Sequence, residues 1–139
     1  MNIPAQLRRQ VIHRAADRCE YCGLSQAGQE AVFHLDHVIP VSAGGETTLE
    51  NLALACVSCS LHKGARQFAV DPRTGKLAAI FNPRRDSWRL HFRWSEVEIV
   101  GISPMGRATV AALAMNRLVV LDIRAEEALR GRHPPPKHL

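Results

Sequence analysis

The four cysteines of the chain form two pairs with the same internal spacing. Two residues separate Cys19 from Cys22, and two separate Cys56 from Cys59. This spacing lets both sulfurs of a pair reach one ion from a tight turn, and two pairs complete the tetrahedral shell of a structural zinc site. Disulfides are disfavoured because the sequence shows no secretion signal, and a redox site needs only one pair. The sequence therefore predicts structural Zn²⁺ on all four thiolates.

A carboxylate and an imidazole stand side by side between the two cysteine pairs. They are Asp36 and His37, in the sequence H-L-D-H-V-I-P of residues 34–40. Imidazole, with an unperturbed pKa of about 6.5, suits a general base near neutral pH. A divalent ion held by a carboxylate stabilises charge on a phosphate and on the departing oxygen. These residue types are the ones that phosphodiester hydrolysis requires.

The order of these motifs resembles one family of enzymes. C-x2-C, D-H-V-I-P, G-G, N-L and a second C-x2-C followed by a lysine occur in this order within residues 19–64. Together they resemble the zinc-containing HNH endonucleases. The resemblance implies a ββα-metal finger, in which two strands and a helix surround one catalytic divalent ion separate from the zinc. It implies that His37 is the general base, that Asp36 is a metal ligand and that Asn51 holds the loop that aims His37.

The third motif residue departs from this family pattern. It usually follows the last cysteine directly, as His or Asn, but this chain has Ser60 there and His62 two positions later. On a helix these two residues lie about 200° apart. Either the ion keeps Asp36 and water with weak help from Ser60, or the helix starts late and His62 reaches the ion. We favour Asp36 and His62 as ligands of Mg²⁺ or Mn²⁺, and an imidazole ligand would also admit Ni²⁺ or Zn²⁺.

The adjacency of Asp36 and His37 raises a geometric difficulty. Neighbouring residues of a regular strand point to opposite faces, so both side chains cannot aim at one phosphate from an ideal strand. We therefore predict an irregular backbone here, at the strand end before Pro40. A regular strand would instead place His34 and Asp36 on one face and leave His37 on the other.

Charge is distributed unevenly along the chain, whose net charge is +5. Residues 17–50 contain six acidic residues and one basic residue, whereas residues 63–93 contain eight basic and two acidic residues. The basic stretch follows the predicted site directly and suits contact with phosphates. We predict nucleic acid, with DNA expected, as the partner, and contacts to it from Lys63 and Arg66.

The elements that must position these residues follow from local patterns. Leu7, Val11 and Ala15 form an apolar stripe at helical spacing, which predicts a helix over residues 4–18. Residues 31–39 are rich in β-branched and aromatic side chains and predict a strand. Residues 47–55 lead back to the second cysteine pair, and a short helix is expected over residues 60–68.

After residue 71 the sequence predicts short strands followed by two helices. Short strands are predicted over residues 77–81, 88–94 and 97–102. Ser103 and Pro104 form a typical helix start, with a helix to Asn116 and another over residues 118–129.

The predicted fold class is therefore α+β: a ββα-metal (HNH) finger stapled by a four-cysteine zinc site, with an N-terminal helix and a C-terminal mixed α/β extension. Its 139 residues suit one domain. We divide it into the helix (1–18), the nuclease core (19–70), the extension (71–130) and a tail expected to be disordered (131–139).

The same sequence bears on location. No apolar run approaches the ~18 residues of a membrane span. Arg8, Arg9, Arg14 and Arg18 interrupt the first twenty residues, unlike a secretory signal. The expected compartment is the cytoplasm, without a membrane partner.

Three functions compete for this pattern. The first is a metal-dependent HNH endonuclease that hydrolyses phosphodiester bonds, with DNA as the expected substrate. The second is a zinc-stabilised nucleic-acid-binding module that does not cut, and the third is a structural or protein-interaction zinc domain. The intact Asp36, His37 and Asn51 favour the first, because binding alone needs none of them.

Overall fold

A computed structural model describes residues 2–137 of the chain. Its helices and strands occur in the order α1, β1, β2, α2, β3, β4, β5, β6, α3 and α4. The helices are α1 (Ala5–Arg14), α2 (Val57–Lys63), α3 (Pro104–Ala112) and α4 (Leu118–Leu129), and the strands are β1 (His34–His37), β2 (Leu52–Ala55), β3 (Phe68–Val70), β4 (Leu77–Ala79), β5 (Phe92–Ser95) and β6 (Glu98–Gly101).

Helix α1 buries the predicted apolar stripe but ends earlier than expected. Val11 and Ala15 are buried, and the helix contacts β2. Ala16 and Asp17 have positive φ angles of 53° and 59°, a left-handed conformation that cannot continue a right-handed helix. The helix therefore stops at Arg14, and the chain turns directly into the first cysteine pair.

Strands β1 and β2 form an antiparallel pair on which α2 packs. Strand β1 is shorter than the strand predicted over residues 31–39, and both strands have four residues. Helix α2 starts at Val57, earlier than the predicted Ser60, because Cys56 caps it: the Cys56 sulfur accepts from the Cys59 N–H at 3.4 Å. This two-strand and one-helix unit, with the cysteines at its base, confirms the predicted α+β fold with a zinc-stapled ββα finger.

The C-terminal half contains two further two-stranded antiparallel sheets, β3–β4 and β5–β6. Helix α3 packs on β3, β4 and β6, which buries Ala108 and Thr109. The start of α3 is as predicted: Ser103 accepts from the Gly106 N–H at 2.9 Å, and Pro104 opens the helix. Of the strand predicted over residues 88–94, residues 88–90 form a 3₁₀ turn and the end belongs to β5, and α4 has the predicted bounds.

The last residues that the structure describes pack on the rest of the chain. Arg132 forms an ion pair with Glu127 at 2.7 Å, and the His133 ring stacks edge-on against Trp94. These contacts fall in the segment 131–137, which the sequence predicts to be extended or disordered; residues 138–139 lie outside the described residues. Within residues 2–137, no helix combines the length and apolar character needed to cross a bilayer.

Candidate active site

The four cysteine sulfurs form one buried cluster at the base of the finger. Each is within 4.8 Å of the other three, and the sulfurs of Cys22 and Cys56 are 3.7 Å apart. Tetrahedral zinc with Zn–S bonds of about 2.3 Å requires sulfurs roughly 3.8 Å apart. Hydrogen bonds among the four thiols lower the pKa of Cys22 and raise the pKa of Cys56 and Cys59. The cluster fits structural Zn²⁺, and it would join the segment after α1 to the start of α2.

His37 is the last residue of β1, and its ring is fixed by a threonine. The His37 side chain is half-buried, and its Nε2 lies 2.9 Å from the Thr47 hydroxyl oxygen. If Nε2 donates its proton to Thr47, Nδ1 is the nitrogen that can accept a proton. The contact fixes the orientation of the ring and places Nδ1 on the edge opposite Thr47.

Asn51 clamps the loop that follows His37. Its Oδ1 accepts from the Ile39 N–H at 2.9 Å, and its Nδ2 donates to the carbonyls of Ile39 and Glu46 at 3.0 and 2.9 Å. Gly45 allows this closure, because a Cβ there would lie 1.7 Å from the Ile39 oxygen. Asn51 thereby ties Ile39 and Glu46 together in the loop that follows His37, and its role in aiming His37 stays a prediction.

Asp36 lies in a buried network instead of an open cleft. Its Oδ2 accepts from the Tyr21 hydroxyl at 2.6 Å and lies 3.1 Å from the Lys63 ammonium. Lys63 also donates to the carbonyls of His37 and Val38 at 3.3 and 3.2 Å. Burial, and then the charge of Asp36, raise the pKa of Tyr21, so this hydroxyl stays protonated and donates. The contacts with Tyr21 and Lys63 therefore share one of the two oxygens of Asp36.

The predicted irregularity of β1 is wrong. Four consecutive residues of β1 pair in an unbroken register with β2, from His34 opposite Ala55 to His37 opposite Leu52. The strand keeps its alternation because it is fixed residue by residue to β2. His34 and Asp36 accordingly face α2, where they meet Ser60 and Lys63, and His37 lies on the other face. The His34 Nδ1 is 2.8 Å from the Ser60 hydroxyl oxygen.

A comparison with protein families identifies this unit. Residues 19–66 match the model of the HNH endonuclease family. The resemblance predicted from the motifs is confirmed over this segment, which we call the HNH segment (residues 19–66). A comparison of the chain with curated proteins gives no match.

The structure does not bring His62 to the expected place in the HNH segment. A ligand role for His62 depended on a late helix start, but α2 begins at Val57, before Ser60. The residues of α2 that meet β1 are Ser60 and Lys63. His62 instead bonds within its own helix, with Nδ1 2.7 Å from the Ser58 carbonyl oxygen. Among residues 2–137, the cysteine cluster is the one group of three or more His, Cys, Asp or Glu side chains close enough to hold a metal.

The two predicted phosphate contacts, Lys63 and Arg66, differ in exposure. The Lys63 side chain is 2% exposed and held by Asp36 and two carbonyls, so it cannot reach a phosphate in this arrangement. The aliphatic part of the Lys63 side chain is buried because α2 packs directly on β1. The amino-acid sequence alone does not reveal this packing. Arg66 is exposed, and it donates to carbonyls of His62 and Ala112. Further along the basic stretch, five side chains are exposed: Arg73, Lys76, Arg85, Arg89 and Arg93.

Sequence reasoning missed two residues that position the site. Thr47 orients His37, and Tyr21 holds Asp36. Tyr21 lies between the first two cysteines, so the turn that presents their sulfurs also carries its hydroxyl toward β1. Thr47 follows the Gly44–Gly45 turn, and nothing in its neighbourhood distinguishes it from an ordinary loop threonine. These contacts join residues 15 and 10 positions apart in the chain, and only the folded loop brings them together.

Proposed function

We propose that this protein is a metal-dependent endonuclease that hydrolyses phosphodiester bonds in nucleic acid, with DNA as the substrate. The observation that carries the proposal is the aimed imidazole of His37. Thr47 fixes its Nε2, and Asn51 closes the adjoining loop. A histidine with only a packing role does not need a three-bond amide clamp on the loop that follows it.

The chemistry assigned to His37 is general base catalysis. Nδ1 removes a proton from a water molecule, the water oxygen bonds to phosphorus, and one phosphoester P–O bond breaks. The departing oxygen then takes a proton from solvent. A divalent ion bound through Asp36 would neutralise charge on the phosphate and on that oxygen. Asp36 and His37 lie on opposite faces of β1, so the scissile phosphate would have to lie at the end of the strand, where both side chains can be reached. The exposed arginines of the basic stretch provide phosphate contacts along the substrate.

The zinc-stabilised binding module is the second candidate, and a specific observation favours it. The Lys63 ammonium neutralises Asp36, and Ser60 stands where the family usually carries His or Asn. These two features weaken cation binding compared with a site of carboxylate and imidazole alone. In such a module, His37 and Asn51 would serve only as structural elements of the loop.

A plasmid-nicking assay with Mg²⁺ or Mn²⁺ separates the two functions. We expect His37→Ala to lower the cleavage rate about 10²- to 10⁴-fold, the usual contribution of a general base. DNA binding, measured by fluorescence anisotropy at two salt concentrations, should be retained. His13→Ala is the matched control, because His13 lies exposed on α1. If wild type binds DNA but does not cut under either metal, the binding module is the correct function.

A further inference from the structure

The hairpin formed by β3 and β4 has one apolar face that is exposed. Phe68, Val70 and Leu77 lie on it, and their exposed fractions are 60%, 52% and 73%. The strand register pairs Val70 with Leu77, and strand alternation puts Phe68 beside them and Ala69 on the opposite face. Ala69 is buried on the side where α3 packs. We call the exposed side, formed by Phe68, Val70 and Leu77, the hairpin face.

The exposed charges of residues 64–77 are all positive. Arg66 precedes β3, and Arg73 and Lys76 lie in the turn between the two strands. The one acidic residue of this stretch, Asp71, is fully buried in an ion pair. The hairpin face is therefore flanked by cations without an exposed carboxylate of the same stretch, a charge pattern that attracts a polyanion.

The hairpin starts close to the end of β1 that carries His37. The Lys63 ammonium donates to the His37 carbonyl at 3.3 Å, and Phe68 follows Lys63 by five residues. Five extended residues span at most about 18 Å, so the Cα atoms of Lys63 and Phe68 are no farther apart than that. One nucleic-acid strand covers this distance in about five nucleotides, at about 3.4 Å per nucleotide. The hairpin face therefore lies within a few nucleotides of a strand bound at His37.

The combination of apolar side chains and cations determines which part of a nucleic acid fits. Arginine and lysine bind phosphates, but the phosphate surface of a paired duplex gives the hairpin face nothing apolar to contact. An unpaired base exposes its ring, and an aromatic side chain on the surface of a sheet is a typical stacking partner for it. We propose that the hairpin face binds unpaired bases of the substrate, with Phe68 stacked on a base and with Arg73 and Lys76 on the flanking phosphates. The inference rests on the proposed nuclease function and names its substrate class, a nucleic acid with unpaired bases next to the cut.

Binding to two matched DNA duplexes tests this inference without relying on cleavage. One duplex is fully paired, and the other has the same length and a central bubble of unpaired bases. Fluorescence anisotropy without added Mg²⁺ or Mn²⁺ measures both affinities, and we expect wild type to bind the bubble more tightly. Phe68→Ala should weaken binding to the bubble about 5- to 100-fold, the usual loss for one stacked base, and leave the affinity for the paired duplex nearly unchanged.

Further variants separate stacking from a general apolar contact. Phe68→Trp should keep the preference for the bubble, whereas Phe68→Leu should lose most of it, because leucine has no aromatic ring to stack. Leu129→Ala is the matched control and should bind both duplexes as wild type does, since Leu129 is an exposed apolar residue at the end of α4. Arg73→Gln and Lys76→Gln should each reduce the slope of log K against log salt on the bubble by about 0.7.

The inference is overturned if Phe68→Ala keeps the wild-type preference for the bubble, or if Phe68→Leu keeps it in full. An anionic membrane is the other polyanionic surface that apolar side chains among cations could bind. If Phe68→Ala releases the protein from phosphatidylserine vesicles without changing either DNA affinity, the hairpin face binds lipid and the inference is wrong.

The nicking assay distinguishes failure of this inference from failure of the proposed function. A preference for the bubble that Phe68→Ala abolishes, in a wild-type protein that does not cut, supports the hairpin face as a nucleic-acid surface and refutes the nuclease. Cleavage by a wild-type protein that shows no preference for the bubble refutes the inference and leaves the nuclease standing.

Discussion

The HNH segment and the following residues 67–137 are stabilised in different ways. In the HNH segment the strands have four residues each and the helix has seven, and the buried interior includes four thiols, a carboxylate and an ammonium. In residues 67–137, α3 and α4 have nine and twelve residues, and the core contains large apolar side chains such as Phe92 and Leu113. The buried carboxylate of Asp71 is paired there with Arg107.

This difference shows that a segment carrying a polar site has less apolar packing to stabilise it. A two-stranded sheet is marginally stable at best by itself, and the seven-residue α2 offers only a short surface on which β1 and β2 can pack. Asp36 and Lys63 occupy interior positions that apolar packing would otherwise fill. A metal cross-link offsets that loss, whereas in residues 67–137 both two-stranded sheets pack on the longer helix α3.

Removing a thiolate should have the largest effect, and it should act on the HNH segment. We expect Cys56→Ser to lose the zinc and to unfold residues 19–66, because binding of structural zinc contributes on the order of 10 kcal/mol to folding. Zinc stoichiometry, circular dichroism and limited proteolysis measure the loss. His37→Ala is the control and should keep both zinc and fold. A zinc-free Cys56→Ser protein that resists proteolysis like wild type would contradict this view of the segment.

Lys63→Met should have the next largest effect, since it breaks the polar network while leaving the thiolates intact. The variant keeps the buried stem but removes the ammonium, so Asp36 loses its ion pair and keeps the hydrogen bond from the Tyr21 hydroxyl. Breaking a buried ion pair in this way typically costs about 3–5 kcal/mol. Urea unfolding at neutral pH with constant zinc measures the change.

Lys76→Met is the matched control for that experiment, because Lys76 is exposed and should change stability by less than about 0.5 kcal/mol. Equal stability of the two variants would mean that the Asp36–Lys63 contact does not support the segment.

The parts of this arrangement that the sequence predicts are those encoded over short distances. The cysteine spacing leads to the thiol cluster, and Ser103 with Pro104 predicts the start of α3, because each depends on residues within one turn of chain. The start of α2 escapes prediction because its capping atom is a cysteine sulfur, and cysteine is not among the usual capping residues.

The features that the sequence does not predict depend on which strands and helices pack against each other. The regular backbone at Asp36 and His37 follows from pairing with β2, and the burial of Lys63 follows from the way α2 crosses β1. The sequence shows Asp36, His37 and Lys63, but it does not show how β1 pairs with β2 or packs against α2, which determines their neighbours. For the same reason, the sequence alone does not distinguish His34 from a surface histidine, because its contact with Ser60 exists only in the folded chain.

The smallest effect should come from the Asp71–Arg107 ion pair of residues 67–137, and it should depend on pH. Asp71 accepts from Arg107 Nε and Nη2 at 3.0 and 2.9 Å, from the Arg73 N–H and from the Thr74 hydroxyl. The bonds from Arg107 above all hold the pKa of Asp71 well below its usual range. A depressed carboxyl pKa contributes stability that is complete above the unfolded value of about 4 and is lost as the pH falls below it.

Asp71→Asn should therefore lower the Tm at pH 7 and converge with wild type as the pH falls below about 4, because wild type loses the same ion pair on protonation. Thermal unfolding of both proteins across this pH range measures the difference in Tm. Both proteins release zinc in acid, so this effect cancels when the two Tm values are subtracted. Asp122→Asn, on the exposed face of α4, should match wild type at every pH. Because Asp71 lies outside the HNH segment, zinc stoichiometry should stay unchanged in Asp71→Asn at pH 7. A loss of zinc there would show that the two regions unfold together, and that the division between a metal-held unit and a packing-held unit does not describe this fold.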